Sequence, residues 1–221
     1  MNGNQASSRF KLPRFYPILD TAAIQACGLS PLAAAEAALE AGVQILQYRH
    51  KEAWTQAHFD EAKAIADLCA SASVLFVLND RADFARLIGA GLHLGQGDLP
   101  PVAARKIVPD QVIGFSTHNR GQLSRAKEEP VEYLAIGPIF ATNSKLRPDP
   151  VVGVDGLRKL RPLANKPVVA IGGIALGNAQ QAFEAGADSL ATIAGWLPAG
   201  ADRQRLRQCV EEWLRQTATS A

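Results

Sequence analysis

The sequence predicts an α/β protein, a single-domain (β/α)8 barrel of the TIM type. Eight short apolar segments alternate with eight helical segments, and no linker interrupts the series. The apolar segments carry apolar residues on both faces, as strands do when helices cover a parallel sheet. A chain of 221 residues is within the range of one undivided α/β barrel. An open doubly wound sheet is the alternative, but such a sheet would normally use fewer units.

The first four units are predicted from short apolar runs and from helix start signals. Ser30 is a suitable N-cap, and Pro31 occupies the first helical position behind it. The predicted strands of this half are Phe15–Leu19, Val43–Arg49, Val74–Leu78 and Gly91–Leu94. The predicted helices are Pro31–Ala41, the amphipathic Thr55–Ser71, Ala82–Ile88 and Pro101–Val108.

The last four units follow the same alternation. The predicted strands are Val112–Ser116, Tyr133–Ile139, Pro167–Ile171 and Ser189–Ile193. The predicted helices are Asn119–Glu128, Gly156–Leu163, Asn178–Ala185 and Arg203–Gln216. Glycine follows alanine near three helix ends, at Gly42, Gly91 and Gly186, where it is expected to adopt the left-handed conformation that ends a helix.

Composition and charge exclude several classes of function. The net charge of +2, from 23 basic and 21 acidic residues, does not favour a nucleic acid or a membrane surface as partner. The three cysteines are far apart and show no metal-binding spacing, which favours a reduced, cytoplasmic compartment. The start of the chain, MNGNQASSRFK, lacks a signal-peptide core, so residues 1–12 are predicted to be a disordered tail before a catalytic barrel over 13–221. The sequence does not decide between a monomer and a homodimer.

Two acidic residues follow neighbouring strands of the predicted barrel. Active sites of such barrels lie at the carboxyl ends of the strands, so Asp80 and Asp98 are expected to face one point. Two carboxylates with open coordination positions suit Mg²⁺, which usually shares phosphate oxygens of a substrate. The alternative is that Asp80 only caps the next helix and Asp98 only closes a turn.

Basic residues are expected beside this acidic pair. In the segment QYRHK, alternation places Gln47, Arg49 and Lys51 on one face of a strand, and Lys145 approaches from across the barrel. Cations next to a metal site predict a polyphosphate ligand. For Arg49 the alternative is a structural ion pair with Asp80, since an unpaired charge at the end of an apolar strand would be costly.

Glycines mark a second anion site. The segments AIGGI (170–174) and ATIAG (191–195) end the seventh and eighth strands. The loops after these two strands commonly bind phosphate through backbone N–H groups. The two anion sites together predict transfer of a group from a diphosphate to a second phosphorylated substrate, with catalysis by positioning and by stabilisation of the leaving group.

None of the four histidines is placed to act as the general base of a nucleophilic serine or cysteine. His50 faces away from the acidic pair by alternation, and His58 lies within a helix. His93 is expected to be a hydrogen-bonded core group in the fourth strand. His118 is near the rim, but no nucleophile is spaced to use it.

Seven motifs resemble, in order and spacing, those of the thiamine phosphate synthase family. They are QYRHK, NDRADFA, GLHLGQGDLP, IGFSTH, IGPIFATNSK, VVAIGGI and GADSLATI, and the resemblance covers about Tyr16 to Gly195. It implies an alkyl- or aryl-transferring enzyme that couples hydroxymethylpyrimidine diphosphate with thiazole phosphate, giving thiamine phosphate and pyrophosphate. The implied mechanism is dissociative: pyrophosphate departs, and the thiazole nitrogen captures the pyrimidine methyl cation.

The resemblance also implies site residues, matched motif by motif. Mg²⁺ would be bound by Asp80 and Asp98. The pyrophosphate would be held by Arg49, Lys51, Asn79 and Lys145, with Gln47 and Ser116 near the pyrimidine or pyrophosphate. The thiazole phosphate would contact Thr142, Ser144, Gly173 and the backbone at Ile193 and Ala194. Of these, Arg49, Lys51, Ser116 and Lys145 would carry the catalysis.

Two departures from the family pattern concern the thiazole phosphate side. Ala194 replaces a common serine, so one hydroxyl is lost, although a backbone N–H remains. Ser144 replaces a common threonine, which keeps the hydroxyl. The whole loop from Gly137 to Pro150 is predicted to be a lid that joins the two anion sites, with Thr142 and Ser144 facing one phosphate and Lys145 the other.

Two other functions compete with this prediction. A related thiazole tautomerase shares the barrel but uses a histidine at the end of the sixth strand, where this chain has Gly137-Pro138-Ile139. A non-catalytic thiamine-phosphate-binding barrel is the second alternative. The Asp80 and Asp98 pair argues against it, because product binding alone does not require a metal site for the leaving group.

Overall fold

The computed structural model describes residues 11–142, 149–198, 200 and 202–218. Eight parallel strands, in the order of the sequence, close into a barrel, which confirms the predicted single-domain (β/α)8 fold. The strands are β1 (Phe15–Asp20), β2 (Ile45–Arg49), β3 (Leu75–Asn79), β4 (Gly91–Leu94), β5 (Ile113–Thr117), β6 (Tyr133–Ile136), β7 (Val168–Ile171) and β8 (Ser189–Thr192).

Nine α-helices surround the barrel within the described part of the chain. They are α1 (Thr21–Ala26), α2 (Pro31–Ala41), α3 (Gln56–Ser71), α4 (Ala82–Ile88), α5 (Pro101–Ile107), α6 (Arg120–Ala126), α7 (Gly153–Leu160), α8 (Leu176–Glu184) and α9 (Arg203–Thr217). Two 3₁₀ turns cover Arg161–Leu163 and Ala194–Trp196. None of these helices is both long and apolar enough to cross a membrane.

The predicted boundaries differ from the observed ones where a proline or a short helix intervenes. Strand β6 ends at Ile136 rather than Ile139, because Pro138 has no N–H for a strand ladder. Helix α7 ends at Leu160 and tightens into a 3₁₀ turn that contains Pro162. Helix α1 was not predicted, since its six residues follow β1 directly. Asp20 is its N-cap and accepts a hydrogen bond from the Ala23 N–H at 3.0 Å.

Two of the three predicted helix-ending glycines are confirmed. Gly42 has φ 96° and Gly186 has φ 102°, both in the left-handed region. The prediction for Gly91 was wrong: Gly89, with φ 70°, ends α4 instead. Gly91 begins β4, where an added Cβ would lie 3.1 Å from the carbonyl oxygen of Val112.

The core has two layers. The larger layer lies between the strands and the helices, where α9 packs Trp213 on Phe15 with ring centroids 5.0 Å apart. The smaller layer fills the barrel interior and includes Leu12, which was assigned to the tail but is only 6 % exposed. Lys11 is exposed, and residues 1–10 of the predicted tail lie outside the described residues.

The interior layer also carries polar side chains. Asp20 and Arg49 are register partners on β1 and β2, and Asn79 and His93 are partners on β3 and β4. Because all strands are parallel, their carboxyl ends meet at one mouth of the barrel. This arrangement brings polar residues that are distant in sequence to one surface.

Candidate active site

A cavity of about 420 Å³ occupies the carboxyl-terminal mouth of the barrel. Eleven of the thirteen predicted site residues line it: Gln47, Arg49, Lys51, Asn79, Asp80, Asp98, Ser116, Thr142, Gly173, Ile193 and Ala194. Ser144 and Lys145 lie outside the described residues, together with the rest of 143–148 in the predicted lid loop. The cavity volume is within the range usual for small-molecule sites.

The two predicted metal ligands lie side by side on one wall. The carboxyl groups of Asp80 and Asp98 are within hydrogen-bonding reach of each other, and Lys51 forms an ion pair with Asp80. Helix α4 begins at Ala82 without a side-chain cap, so Asp80 does not have the capping role considered above. Asp98 does close a turn, accepting the Gly95 N–H at 2.6 Å, while it also faces the cavity.

Asp80 is held in an unusual backbone conformation. Its φ of 64° is in the left-handed region, and its N–H donates to the carbonyl of His93 at 2.9 Å. Non-glycine residues adopt this conformation rarely, and it is enriched at functional sites. The strain supports the interpretation that this wall has been shaped for a ligand.

Burial and mutual contact separate the proton affinities of the two carboxyl groups. Burial, followed by the hydrogen bond with Asp98, raises the pKa of Asp80 to about 6, although Lys51 acts in the opposite direction. Burial also acts to raise the pKa of Asp98. However, its hydrogen bonds with Asp80 and Gly95 and the charge of Lys51 outweigh this effect and lower that pKa.

Arg49 forms an ion pair with Asp20, a partner that was not predicted from the sequence. The predicted alternative partner was Asp80, but the guanidinium forms its ion pair with Asp20. Asp20 is within reach of Arg49 because the two are register neighbours at the ends of adjacent strands. Asp80 pairs with Lys51 instead. Asp20 and Arg49 both lie at the ends of neighbouring strands, and this shared position is the sequence signal that could have predicted their contact.

Asn79 presents an unused donor. The residue is 5 % exposed, and its Nδ2 atom has no hydrogen-bond partner among the described residues. A buried amide donor without a partner costs on the order of 1–3 kcal/mol. Because Asn79 lines the cavity, a ligand oxygen is the natural partner for this atom.

The opposite wall is built from glycine backbone. Gly172 and Gly173 have φ values of 96° and 65°, and an added Cβ at Gly173 would lie 2.6 Å from the Ala141 carbonyl oxygen. At Gly195 an added Cβ would lie 2.3 Å from the Ile174 carbonyl oxygen. The close packing requires glycine at these positions and leaves the backbone open to the cavity.

A chain of buried side-chain hydrogen bonds runs beneath the cavity. Gln47 Nε2 donates to Tyr16 Oη at 2.8 Å, and the two phenolic oxygens of Tyr16 and Tyr133 are 2.9 Å apart. His93 Nδ1 lies 3.1 Å from Tyr133 Oη, and His93 Nε2 lies 2.9 Å from Ser116 Oγ. His93 is therefore a hydrogen-bonded core group, as expected, but it also lines the cavity, which was not predicted.

His118 also faces the cavity. Its Nδ1 lies 2.7 Å from the Gly137 carbonyl oxygen, and its Nε2 is 3.5 Å from a carboxylate oxygen of Asp149. The Gln122 side chain accepts the His118 backbone N–H at 2.7 Å. Its position after the fifth strand was the sequence signal that it would face the cavity, but the partners of its ring were not predictable from that position.

Comparison with known proteins places this architecture in one family. Residues 15–195 match the family model described as thiamine monophosphate synthase. The chain is 46 % identical to the thiamine-phosphate synthase of Koribacter versatilis over 198 residues, covering 86 % of this chain and 92 % of that protein. It is 38 % identical over 187 residues to the enzyme of the same name from Chloroflexus aurantiacus, covering 84 % and 86 %.

A solved structure agrees in sequence and fold. The thiamine phosphate pyrophosphorylase of Pyrococcus furiosus superposes with a TM-score of 0.80 at 30 % identity, covering 92 % of this chain and 95 % of that one. The matched span contains every strand of the barrel and all the predicted site residues. The chain therefore belongs to the thiamine monophosphate synthase family.

Proposed function

We propose that this protein couples hydroxymethylpyrimidine diphosphate with thiazole phosphate to form thiamine phosphate and pyrophosphate. One observation carries the proposal. A single cavity has two carboxylates and two cations, Arg49 and Lys51, on the β2–β4 side, and open glycine backbone on the β7–β8 side. Two unlike anion sites in one cavity suit a reaction that joins two phosphorylated molecules.

In the proposed reaction the C–O bond between the pyrimidine methylene and the diphosphate breaks first. The diphosphate leaves with the electron pair, and the resulting pyrimidine methyl cation is captured by the lone pair of the thiazole nitrogen. Arg49 and Lys51 would stabilise the charge that builds on the departing diphosphate, and the Nδ2 donor of Asn79 would bind one of its oxygens. Lys145 is proposed to assist from the loop outside the described residues.

The same wall fits a Mg²⁺ ion. Asp80 and Asp98 place hard oxygen donors next to each other, and the raised pKa of Asp80, caused first by burial and then by the contact with Asp98, is consistent with a cation binding between the two carboxylates. When bound there, Mg²⁺ would neutralise charge on the diphosphate leaving group. Lys51 would then orient the Asp80 carboxylate from the other side.

The thiazole phosphate is proposed to bind at the glycine wall. Thr142, Gly173 and the backbone at Ile193 and Ala194 line this side of the cavity, and Ser144 is proposed to join them. Ala194 supplies no hydroxyl, so backbone N–H groups would carry most of the phosphate binding here. A cytoplasmic enzyme fits these metabolite-sized substrates.

The thiazole tautomerase alternative has less support. Pro138 lines the cavity at the end of β6, where the tautomerase would place its histidine. The cation and carboxylate wall would also have no role in moving a proton within one ring. A non-catalytic binding barrel would leave the same wall unexplained.

The direct test is a coupling assay. Purified protein with both substrates and Mg²⁺ is expected to release pyrophosphate and form thiamine phosphate in equal amounts. A tautomerase would change the thiazole substrate without releasing pyrophosphate. A binding barrel would retain thiamine phosphate without turnover, and either outcome would overturn the proposal.

Substitution of Gly173 by alanine is expected to weaken binding of thiazole phosphate selectively. The positive φ alone costs an alanine roughly 1–2 kcal/mol, and its Cβ would meet the Ala141 carbonyl oxygen and Phe140 Cβ at 2.6 and 2.7 Å. The backbone must shift, so we expect the KM for thiazole phosphate to rise about tenfold or more, which corresponds to about 1.4 kcal/mol. The KM for the pyrimidine substrate should change little.

Gly177→Ala is the matched control for that experiment. Gly177 lies in the first turn of α8, and nothing lies within 4 Å of an added Cβ. This variant should keep both KM values and gain a few tenths of a kcal/mol of stability, or up to about 1 kcal/mol. An equal rise of both KM values in Gly173→Ala would contradict the assignment of the glycine wall to one substrate.

A further inference from the structure

We propose that Tyr16, Tyr133 and His93 form a hydrogen-bond relay with one direction, which points the hydroxyl proton of Ser116 into the cavity. Ser116 is thereby a hydrogen-bond donor to the pyrimidine diphosphate, and the three relay residues are positioning residues. The identity of the ligand rests on the proposed function. The direction of the relay follows from the protein alone.

The relay begins at Gln47. Its Nε2 donates to Tyr16 Oη, so that oxygen is already an acceptor. The Tyr16 hydroxyl still has one proton to donate, and a buried O–H without an acceptor is costly. Tyr16 is 1 % exposed, and its other partner within the described part of the chain is Tyr133 Oη, which must therefore accept.

The next step sets the tautomer of His93. With its oxygen accepting from Tyr16, Tyr133 donates its own proton to His93 Nδ1, 3.1 Å away. A neutral imidazole that accepts at Nδ1 carries its proton on Nε2. His93 Nε2 then donates to Ser116 Oγ at 2.9 Å.

The last step concerns what Ser116 presents to a ligand. Its oxygen accepts from His93, so the hydroxyl proton points elsewhere, and Ser116 lines the cavity. Diphosphate oxygens and ring nitrogens are both acceptors and can use this proton. At the other end, the donation from Nε2 to Tyr16 leaves the Gln47 amide oxygen as an acceptor for the same ligand.

The surroundings keep the two phenols of the relay protonated and hold its rings in place. Burial raises the pKa of Tyr16 and of Tyr133 well above the ordinary value of a phenol, so each hydroxyl keeps one proton to donate. Gly114 makes room for Tyr133, because an added Cβ would lie 2.0 Å from its ring. The His93 ring stacks on Tyr133 at 5.7 Å between centroids. Aliphatic side chains at these interior positions would contribute more hydrophobic stabilisation, but only polar groups can orient the Ser116 hydroxyl.

The direction can be tested on the ligand-free protein by ¹⁵N NMR of histidine rings. The chain has four histidines, and loss of one signal set in His93→Gln identifies His93. We expect the Nε2–H tautomer in the native protein. In Tyr133→Phe, which removes the donor to Nδ1, the preference for the Nε2–H tautomer should weaken. A native His93 that is protonated at Nδ1 would overturn the proposal.

Kinetics provide the second measurement. Tyr133→Phe is expected to lower kcat about tenfold, the loss expected for one misdirected hydrogen bond, and to leave the KM for thiazole phosphate unchanged. Tyr16→Phe should lower kcat in the same way. Tyr48→Phe is the matched control, because that fully buried tyrosine donates to Glu61 at 2.7 Å and does not line the cavity. Equal kcat values in Tyr133→Phe, Tyr48→Phe and the native protein would refute a positioning role.

Failure of the relay and failure of the proposed function are distinguishable. A protein with the expected His93 tautomer that released no pyrophosphate would overturn the proposed substrates and uphold the relay. A protein that released pyrophosphate with the Nδ1–H tautomer would uphold the function and overturn the relay.

Discussion

Substitution of Asp80 by asparagine is expected to lower the coupling rate by on the order of 1000-fold, since a metal at a leaving group contributes several kcal/mol and each 1.4 kcal/mol is a factor of ten. The amide keeps the shape of the carboxylate but loses the charge that would hold Mg²⁺ and pair with Lys51. Mg²⁺ affinity, measured by calorimetry in the presence of pyrophosphate, should fall in parallel with the rate.

The Asp80→Asn variant should remain folded, which makes the experiment interpretable. The φ of 64° at this position is tolerated by asparagine at least as well as by aspartate, whereas alanine would be strained. Removal of one carboxylate also relieves the contact with Asp98, which contributes to the raised pKa of Asp80. We therefore expect an unchanged or slightly higher melting temperature.

Asp83→Asn is the control for charge. Asp83 lies in the first turn of α4, forms its ion pair with Arg81 and does not line the cavity. Its neutralisation changes the net charge by the same amount, and activity should stay within about twofold, because surface ion pairs contribute little. Full Mg²⁺-dependent activity in Asp80→Asn would remove the metal assignment.

The barrel could be predicted from sequence because its signals are local. Each strand is a short apolar run, and N-cap signals such as Ser30 before Pro31 mark where helices begin. The errors occurred where a local pattern was too short or had two solutions. Helix α1 has six residues, and the segment around Gly89 and Gly91 offered two glycines for one left-handed position.

Most residues that line the cavity were predictable from the sequence, but their contacts with each other were not. Arg49, Lys51, Asp80 and Asp98 could be assigned to the cavity wall because they lie at or just after strand ends. Parallel strands bring such positions together at one mouth of the barrel. Pairing depends on register and on side-chain reach across strands, which a single sequence does not contain. Arg49 was consequently given Asp80 as its alternative partner rather than Asp20.

The interior polar groups were also missed for a physical reason. Tyr16 and Tyr133 are 117 positions apart, and each alone resembles a core aromatic residue. Only the closure of the barrel makes them neighbours and connects them through His93 to Ser116. These hydrogen bonds therefore depend on the closed sheet and could not be predicted from any local segment of the sequence.

Substitution of Arg49 by alanine is expected to lower activity on the order of 100-fold, because the guanidinium can bind two diphosphate oxygens with charge-assisted hydrogen bonds. It should also lower the free energy of unfolding by about 3 kcal/mol, the loss usual when a buried ion pair is broken from one side. The side chains of Arg49 and Asp20 are only 14 % and 11 % exposed, so the carboxylate would be left without compensation.

A second substitution separates these two effects. In Arg49→Ala with Asp20→Asn, the uncompensated charge is gone, and the asparagine oxygen can still accept the Ala23 N–H that begins α1. We expect most of the lost stability to return, measured by chemical denaturation, while kcat/KM for the pyrimidine diphosphate stays low. If activity recovered together with stability, Arg49 would act through the fold alone. If stability recovered and activity did not, the guanidinium itself would be the group that meets the diphosphate, and Asp20 would serve to hold it in place.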